Sequence, residues 1–283
     1  MPDKAASILA KLKNKAKNGN KSFQLCLQLF AQEELIRRIQ SSSYSDNFVL
    51  KGGLLIYSLS GFESRSTVDI DFLLRSISND LDKIREMLDD IIHINTGNDY
   101  IRFEIKKIEQ IALLRKYPGV GFSMLARIKN VRIPFSVDLG IGDVIIPNHE
   151  RRKLPTQLDG FDPPEINTYS LESTIAEKFD AILSMMELGS RMKDYFDIYY
   201  LSQNYKFDEQ VLSDALRETF KNRDRQYTMV EYEHFASLSN NKDMIRKWNL
   251  FIKKLKLEHV EFSEVIKQIN HFLYLAYEET LNR

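Results

Sequence analysis

Two aspartates separated by a single residue give the sequence its clearest chemical signal. Asp69 and Asp71 alternate with the apolar residues Val68, Ile70 and Phe72, a pattern typical of a half-buried β-strand. Because side chains alternate across a strand, both carboxylates should project from one face, with their Cα atoms ~6.5 Å apart. Such a pair can serve the two cations, ~3.5–4 Å apart, of a phosphoryl-transfer site. The alternative is a solvated strand face without a catalytic role.

The same two carboxylates predict the metal. Two like charges on one strand face repel each other, so Asp69 and Asp71 are costly without a cation between them. Mg²⁺ prefers oxygen ligands and takes one or two carboxylates together with substrate phosphates, and Mn²⁺ accepts the same ligands. We therefore predict a Mg²⁺ site, with Mn²⁺ as an alternative.

A glycine pair lies upstream of these acids, directly after Lys51. Gly52 and Gly53 would let the backbone approach a phosphate closely. They also precede an apolar segment, residues 54–59, whose helical N–H groups could face an anion. Most Gly-Gly pairs are ordinary turns, so the pair gains weight only through its combination with the two aspartates.

A third acid follows the same strand pattern in residues 132–139. The apolar face of this segment carries Ile133, Phe135, Val137 and Leu139. Ser136 and Asp138 fall on the other face, so Asp138 is placed like Asp69 and Asp71. Pro134 argues against a strand or for an edge position, since proline lacks an amide hydrogen. A surface aspartate ahead of a turn is the alternative for Asp138.

Three charged residues stand out in the helical second half. Lys178 lies at the border of the apolar stripe of a predicted helix, where a lysine commonly extends its ammonium to water. Asp194 and Asp197 share one face of a nearly all-apolar helix, where carboxylates are costly unless they are paired. Alternatively, Asp194 interacts with the helix dipole and Asp197 bridges Arg191 or Lys193.

The first set of residues resembles a known signature. The stretch Lys51-Gly52-Gly53 … Arg65-Ser66-Thr67-Val68-Asp69-Ile70-Asp71-Phe72 is similar to the nucleotidyltransferase motif of the DNA polymerase β superfamily. It resembles the AbiEii/AbiGii toxin branch most closely, over nearly the whole chain. The resemblance implies catalysis and metal binding by Asp69 and Asp71. It implies nucleotide binding by Lys51, Gly52, Gly53, Arg65 and Thr67.

Two of these positions need qualification. The family often has serine where this chain has Gly53, so a phosphate-binding hydroxyl is missing and only the backbone can contribute there. Arg65 could hold either a phosphate or a structural carboxylate.

The resemblance also assigns roles outside the signature. It implies that Asp138 is the third acid, which ligates the metal or deprotonates the attacking hydroxyl. It implies that Lys178 and Asp194 are catalytic, Asp194 by fixing Lys178 or the nucleotide. Asp197 is expected to bind the nucleotide.

The implied function is transfer of a nucleoside monophosphate from an NTP to an acceptor, such as the 3′ end of a tRNA or another RNA. The family consists of toxins of bacterial toxin–antitoxin and phage-defence (abortive-infection) systems, so a cognate antitoxin encoded nearby is a further expectation. Two alternatives stay open: an acceptor that is a small molecule or a protein, and a nucleotide-binding module that has lost catalysis. The second alternative has mild support, because this chain has Gly53 where the family often has serine.

The elements that must position these residues predict an α+β fold. Strand patterns near residues 101–108, 122–129 and 131–139 join the aspartate strand in a mixed sheet, preceded by N-terminal helices. We predict a polymerase β-like nucleotidyltransferase domain over residues 1–165. A C-terminal helical bundle is predicted over residues 166–283, after a proline-bearing stretch.

Composition limits the remaining possibilities. Forty basic and forty acidic residues cancel, so any RNA site must be a local patch. Basic groups at 106–107, 115–116, 151–153 and 221–225 could contact RNA or could simply be solvated loops. A single cysteine excludes an intrachain disulfide. No stretch has the apolar length of a signal peptide or a membrane span, so we expect a cytoplasmic protein without a membrane partner.

Overall fold

The computed structural model describes residues 3–77, 80–111 and 119–282. The chain divides into two compact units. The first runs to Gly142 and also includes Glu150–Thr168, and the second consists of Asp143–His149 and the residues from Tyr169 onward. The basic pair at 115–116 lies outside the described ranges.

This division differs from a simple break between residues 165 and 166. Strand β7, Glu165–Thr168, pairs with strands of the first unit and therefore belongs to it. The segment Asp143–His149 belongs to the second unit because side chains of that unit bind it. Arg223 lies 3.5 Å from the Asp143 carboxylate, and the Ser173 hydroxyl accepts a hydrogen bond from the Ile146 amide.

Within the described residues, the first unit contains one seven-stranded mixed sheet with the order β3-β4-β5-β2-β1-β7-β6. Its strands are β1 Phe48–Lys51, β2 Asp69–Leu74, β3 Ile101–Ile111, β4 Gly119–Ile128, β5 Val131–Ile141, β6 Glu150–Lys153 and β7 Glu165–Thr168. The β5–β2 and β1–β7 pairs are parallel, and the other neighbours are antiparallel. The predicted mixed sheet is therefore confirmed.

Four α-helices complete the first unit among the described residues: α1 Lys4–Asn18, α2 Phe23–Gln40, α3 Gly52–Leu59 and α4 Leu81–Ile92. One face of the sheet is apolar and buried, with fully buried Phe48 and Phe72 in edge-to-face contact at 5.3 Å. This burial holds the strand register, because a one-residue slip would turn the apolar side chains to solvent.

Pro134 lies in the part of β5 that precedes the pairing with β2. That pairing begins at Ser136, so before it the described part of β5 has a strand neighbour only on the β4 side. A proline fits there because its missing amide hydrogen leaves no ladder position empty on the open side. The edge position that Pro134 indicated is therefore correct for this segment of β5.

The regular secondary structure described in the second unit is all helical. Its helices are α5 Leu171–Met185, α6 Met192–Asn204, α7 Glu209–Asn222, α8 Met229–Ser237, α9 Lys242–Leu255 and α10 Phe262–Leu281. Helix α8, which the sequence reading missed, begins with a capping box between Thr228 and Glu231. Phe179 packs edge-to-face on Phe235 at 5.2 Å in the aromatic core. The predicted α+β fold with a C-terminal helical part is confirmed.

Candidate active site

Strand β2 presents its two aspartates as the alternation predicts. Ile70 and Phe72 are fully buried on the apolar face, while Asp69 is exposed and Asp71 is half-buried on the other face. We call this second side of the sheet the polar face. Asp69 forms no ion pair within the described part of the chain. The two carboxylates therefore lie on a strand that is held in place by the burial of Ile70 and Phe72 on its opposite face.

The register brings further polar residues beside these acids. Asp71 is paired with Lys51 of β1 on one side and with Asp138 of β5 on the other. Asp69 is paired with Ser136. Paired residues on neighbouring strands project to the same face, ~4.8 Å apart along the sheet. Lys51, Asp71 and Asp138 thus form one row across three strands of the polar face.

The acids do not form a complete metal cage by themselves. Among the residues described, no group of three or more histidine, cysteine or acidic side chains is close enough to hold a metal ion. This arrangement fits an ion that takes only one or two protein carboxylates and completes its shell with water and phosphate oxygens. Asp138 as a third metal ligand stays a prediction.

Glycine is required at position 52 because any side chain there would collide with Asp71. Its φ is +70°, in the left-handed region, and a Cβ built on it would lie 2.8 Å from Asp71 Cγ and closer still to Oδ2. Helix α3 starts at Gly52, and its N-cap residue Lys51 makes no side-chain cap within the described structure. The first N–H groups of α3 therefore begin directly beside the Asp71 carboxylate.

Gly53 packs against the lead-in to β2. A Cβ on it would lie 3.1 Å from Arg65 Nη2 and 3.2 Å from Thr67 Oγ1. Arg65 is buried, and Thr67 Oγ1 accepts a hydrogen bond from the Asp69 amide at 3.4 Å. The structure thus brings Arg65 and Thr67 to the start of α3.

A separate ionic cluster lies in the second unit. The Lys178 ammonium lies 3.0 Å from Asp194 Oδ1 and 2.6 Å from Asp197 Oδ2, and all three residues are buried. Arg191 Nε lies 2.5 Å from the other oxygen of Asp194. Lys178 is therefore not a lysine that extends its ammonium into water. Asp197 thus has Lys178 as an ion-pair partner, which the helical spacing did not predict.

The sequence of this chain matches a family model over most of its length. The match is to the nucleotidyl transferase AbiEii toxin of type IV toxin–antitoxin systems, over residues 34–268. The chain belongs to this AbiEii family. It is therefore a nucleotidyltransferase of a toxin family, and membership implies an NTP substrate and a cognate antitoxin. No curated protein matches the chain in sequence.

Solved structures share the fold of this AbiEii-family protein. MenT4, a nucleotidyltransferase toxin from Mycobacterium tuberculosis, is 15% identical with a TM-score of 0.60, covering 97% of this chain and 98% of its own. A nucleotidyltransferase-type protein from Helicobacter pylori has a TM-score of 0.50 at 15% identity, over 90% and 97% of the two chains. JHP933 from Helicobacter pylori has a TM-score of 0.50 at 14% identity, over 90% and 94%. These likenesses confirm the fold.

Two glutamines that the sequence reading missed hold the strands of this AbiEii-family enzyme. Gln32 is buried and its Nε2 donates to the Val68 carbonyl at 2.7 Å, directly before Asp69. Gln28 Nε2 donates to the Pro134 carbonyl of β5 at 2.8 Å. The detectable signal is their spacing, since residues four apart on α2 share one helix face.

Tyr195, next to Asp194, is excluded as a proton acceptor. Burial raises the pKa of its phenol well above the ordinary value, and the negative charges of Asp194 and Glu187 raise it further. The phenol therefore stays protonated at neutral pH.

No helix in the described ranges of this AbiEii-family protein is both long and apolar enough to cross a membrane.

Proposed function

We propose that this protein is a Mg²⁺-dependent toxin that transfers a nucleoside monophosphate from an NTP to the 3′ hydroxyl of an RNA, with tRNA as the leading acceptor. The observation that supports it is the row of Lys51, Asp71 and Asp138 on the polar face, with Asp69 beside it and the start of α3 against Asp71. The cytoplasm, where NTPs and RNA occur together, is the proposed location.

The donor set fits Mg²⁺. Asp69 and Asp71 offer only oxygen ligands on one strand face, and Asp138 adds another oxygen donor on the adjacent strand. We assign the metal to Asp69 and Asp71; Mn²⁺ would suit the same oxygens. When bound, the metal neutralises negative charge on the triphosphate.

The triphosphate is assigned to the start of α3. The N–H groups of Gly52 and Gly53 lie at a helix N-terminus, which favours an anion through its unpaired donors and its dipole. Lys51 adds a positive charge in the same row, and Arg65 and Thr67 lie against Gly53. These residues bind and orient the nucleotide.

The transfer step conserves atoms and charge. The acceptor oxygen attacks the α-phosphorus in line, so one O–P bond forms while the bond from the α-phosphorus to the bridging oxygen breaks. Pyrophosphate leaves with that electron pair. The proton of the attacking hydroxyl passes to the Asp138 carboxylate, which lies beside Asp71 and is exposed.

Lys178, Asp194 and Asp197 are proposed to act on the nucleotide as a preorganised unit. Two carboxylates fix the Lys178 ammonium, so its charge needs no reorganisation when negative charge grows on the phosphates. In this proposal, Asp194 and Asp197 position Lys178.

The test uses each labelled NTP in turn, Mg²⁺, total RNA and the intact chain, followed by separation of RNA, protein and small molecules. Label in RNA that disappears with EDTA and with Asp71→Asn is the expected result. Label in protein or in a small molecule would move the acceptor to those classes. No transfer from any NTP to any acceptor, in a chain that binds NTP, would overturn the proposal in favour of an inactive nucleotide-binding module.

A further inference from the structure

The polar face carries a row of arginines at a distance from the carboxylates. Arg102 of β3 is paired with Arg127 of β4, and Arg127 is paired with Arg132 of β5. All three are exposed. We call these residues the arginine row. Neighbouring strands lie ~4.8 Å apart, and like charges directly opposite each other destabilise a sheet.

The acids nearby do not balance this charge. Glu104 forms ion pairs with Lys106 and, at 3.8 Å, with Arg127, so one carboxylate serves two cations. Arg102 and Arg132 form no ion pair anywhere in the described ranges. These five residues together carry a net charge of +3, from four cations and one anion. An anionic ligand would offset the repulsion within the row.

A pocket joins this positive region to the carboxylate strand. It has a volume of about 340 Å³, and its lining includes Asp69 at one end and Arg132 at the other, with Lys106, Ser123 and Ser136 between them. The volume is at the lower end of the range for small-ligand pockets, roughly 300–1,000 Å³, and suits about one nucleotide. From Arg132 to Asp138 strand β5 rises roughly 20 Å, at ~3.3 Å per residue.

We propose that this pocket and the arginine row form the acceptor subsite, in which the terminal nucleotide of a single-stranded RNA 3′ end occupies the pocket and the arginine row binds the phosphates that precede it. The proposal rests on the proposed function, because it names the site for the acceptor of that reaction. It extends the site beyond the residues of the signature.

The chemistry of the subsite favours this ligand. Arginine binds phosphate through paired N–H donors, and a row of three suits a chain of phosphates better than a single anion. The pocket accommodates one nucleotide, so a base-paired end would have to open before its last nucleotide could enter. Ser123 and Ser136 offer hydroxyls toward the ribose, and Ser136 is paired with Asp69.

The first experiment measures binding apart from catalysis. A labelled twelve-nucleotide single-stranded RNA is titrated with the intact chain by fluorescence anisotropy, without NTP or Mg²⁺, over a series of salt concentrations. In Arg102→Gln/Arg127→Gln/Arg132→Gln the RNA affinity should fall. The slope of log affinity against log salt should shrink by about 2, since each phosphate contact on a single strand contributes ~0.7. NTP binding should not change.

The matched control is Arg85→Gln, an exposed arginine of α4 in the same unit, which should leave RNA affinity unchanged. A second variant, Ser123→Tyr, fills the pocket at an exposed strand position that tolerates an aromatic residue. It should block transfer to every RNA acceptor while NTP binding persists. Because all the changed side chains are exposed, the variants should fold as the intact chain does.

The second experiment compares acceptors of different length. In the triple arginine variant, transfer to the twelve-nucleotide RNA should fall much more than transfer to a dinucleotide. A dinucleotide in the pocket can reach Arg132, which lines it, but is too short to reach Arg127 and Arg102 as well. Equal transfer to both acceptors together with unchanged RNA affinity would overturn the subsite. Loss of binding to an acidic protein partner, with RNA binding intact, would also overturn it and assign the row to that partner.

The two proposals can fail separately. If the intact chain binds RNA through the arginine row but transfers no nucleotide, the arginine row is an RNA-binding site and the proposed function fails. If it transfers nucleotide to RNA equally well with and without the arginine row, the proposed function stands and the subsite fails.

Discussion

Two pairs of aspartates in this molecule have opposite environments. Asp69 and Asp71 lie on a strand face, exposed and half-buried, and Asp69 has no ion pair within the described residues. Asp194 and Asp197 are each 1% exposed and are held by Lys178, with Arg191 on Asp194. The buried pair obtains its cations from the chain itself. The exposed Asp69 carboxylate is accessible to a cation from solution, which is the difference expected between carboxylates that the chain itself neutralises and a metal site.

The largest expected effect separates the two pairs directly. Asp69→Asn should lower nucleotide transfer by roughly 10³-fold or more, since a metal's charge stabilisation is worth several kcal/mol, while the free energy of unfolding changes by less than ~0.5 kcal/mol. Asp194→Asn should lower the free energy of unfolding by ~3–5 kcal/mol, because it leaves a buried cation poorly paired. Turnover assays and urea unfolding on both variants check this. A destabilised Asp69→Asn of normal activity would reverse the comparison.

Lys178→Met gives the next effect. We expect turnover to fall by roughly 10²–10³-fold, the worth of one preorganised electrostatic group. Stability should also fall, by ~3–5 kcal/mol, because two buried carboxylates lose their cation. Lys178→Met/Asp194→Asn/Asp197→Asn removes those carboxylates and should regain part of the stability but none of the activity.

The control for Lys178 is Lys193→Met, on the exposed side of α6, which should change the free energy of unfolding by less than ~0.5 kcal/mol. Thermal and urea unfolding are measured with turnover for all three variants. If the triple variant recovered turnover together with stability, Lys178 would have only a structural role.

The sequence predicted which face of a strand each side chain lies on better than it predicted which residues are paired across neighbouring strands. Period-two alternation is a local property, so the placement of Asp69, Asp71 and Asp138 on polar strand faces could be read directly. The pairing of Asp71 with Asp138 could not, because register depends on strands far apart in the chain. The arginine row was missed for the same reason, since Arg102, Arg127 and Arg132 meet only through that register.

The ionic cluster shows the same limit on a helix. Helical spacing placed Lys178 at the edge of an apolar stripe and Asp194 with Asp197 on one face of α6. It could not give the burial of Lys178 or its two ion pairs, because these depend on the packing of α5 against α6. Short strands β6 and β7 were missed because four residues carry too little pattern.

Gly52→Ala tests how closely the start of α3 packs against Asp71. Gly52 and Gly61 have similar positive φ values, +70° and +64°, so alanine costs each about 1–3 kcal/mol of backbone strain. A Cβ at Gly52 also collides with Asp71, whereas one at Gly61 meets nothing within 4 Å. Gly52→Ala should therefore be ~1–3 kcal/mol less stable than Gly61→Ala and should lose transfer activity, which Gly61→Ala keeps. Equal unfolding energies in the two variants would show that Asp71 moves freely.

Gly53→Ala should have the smallest effect. The backbone at Gly53 is outside the left-handed region, and the nearest atoms to an added Cβ would be the end of the Arg65 side chain, at 3.1 Å, and Thr67, at 3.2–3.3 Å. Arg65 can shift by a few tenths of an ångström, so the free energy of unfolding should change by less than ~1 kcal/mol. Displacing Arg65 should raise the KM for NTP by a few fold, about 0.5–1 kcal/mol, and leave kcat unchanged, because Arg65 is assigned to nucleotide binding and not to the carboxylates. Steady-state kinetics with urea unfolding measure both quantities. A fall in kcat as large as that of Gly52→Ala would mean that a side chain at position 53 disturbs the strand carboxylates, as one at position 52 does. The assignment of Arg65 to nucleotide binding alone would then be wrong.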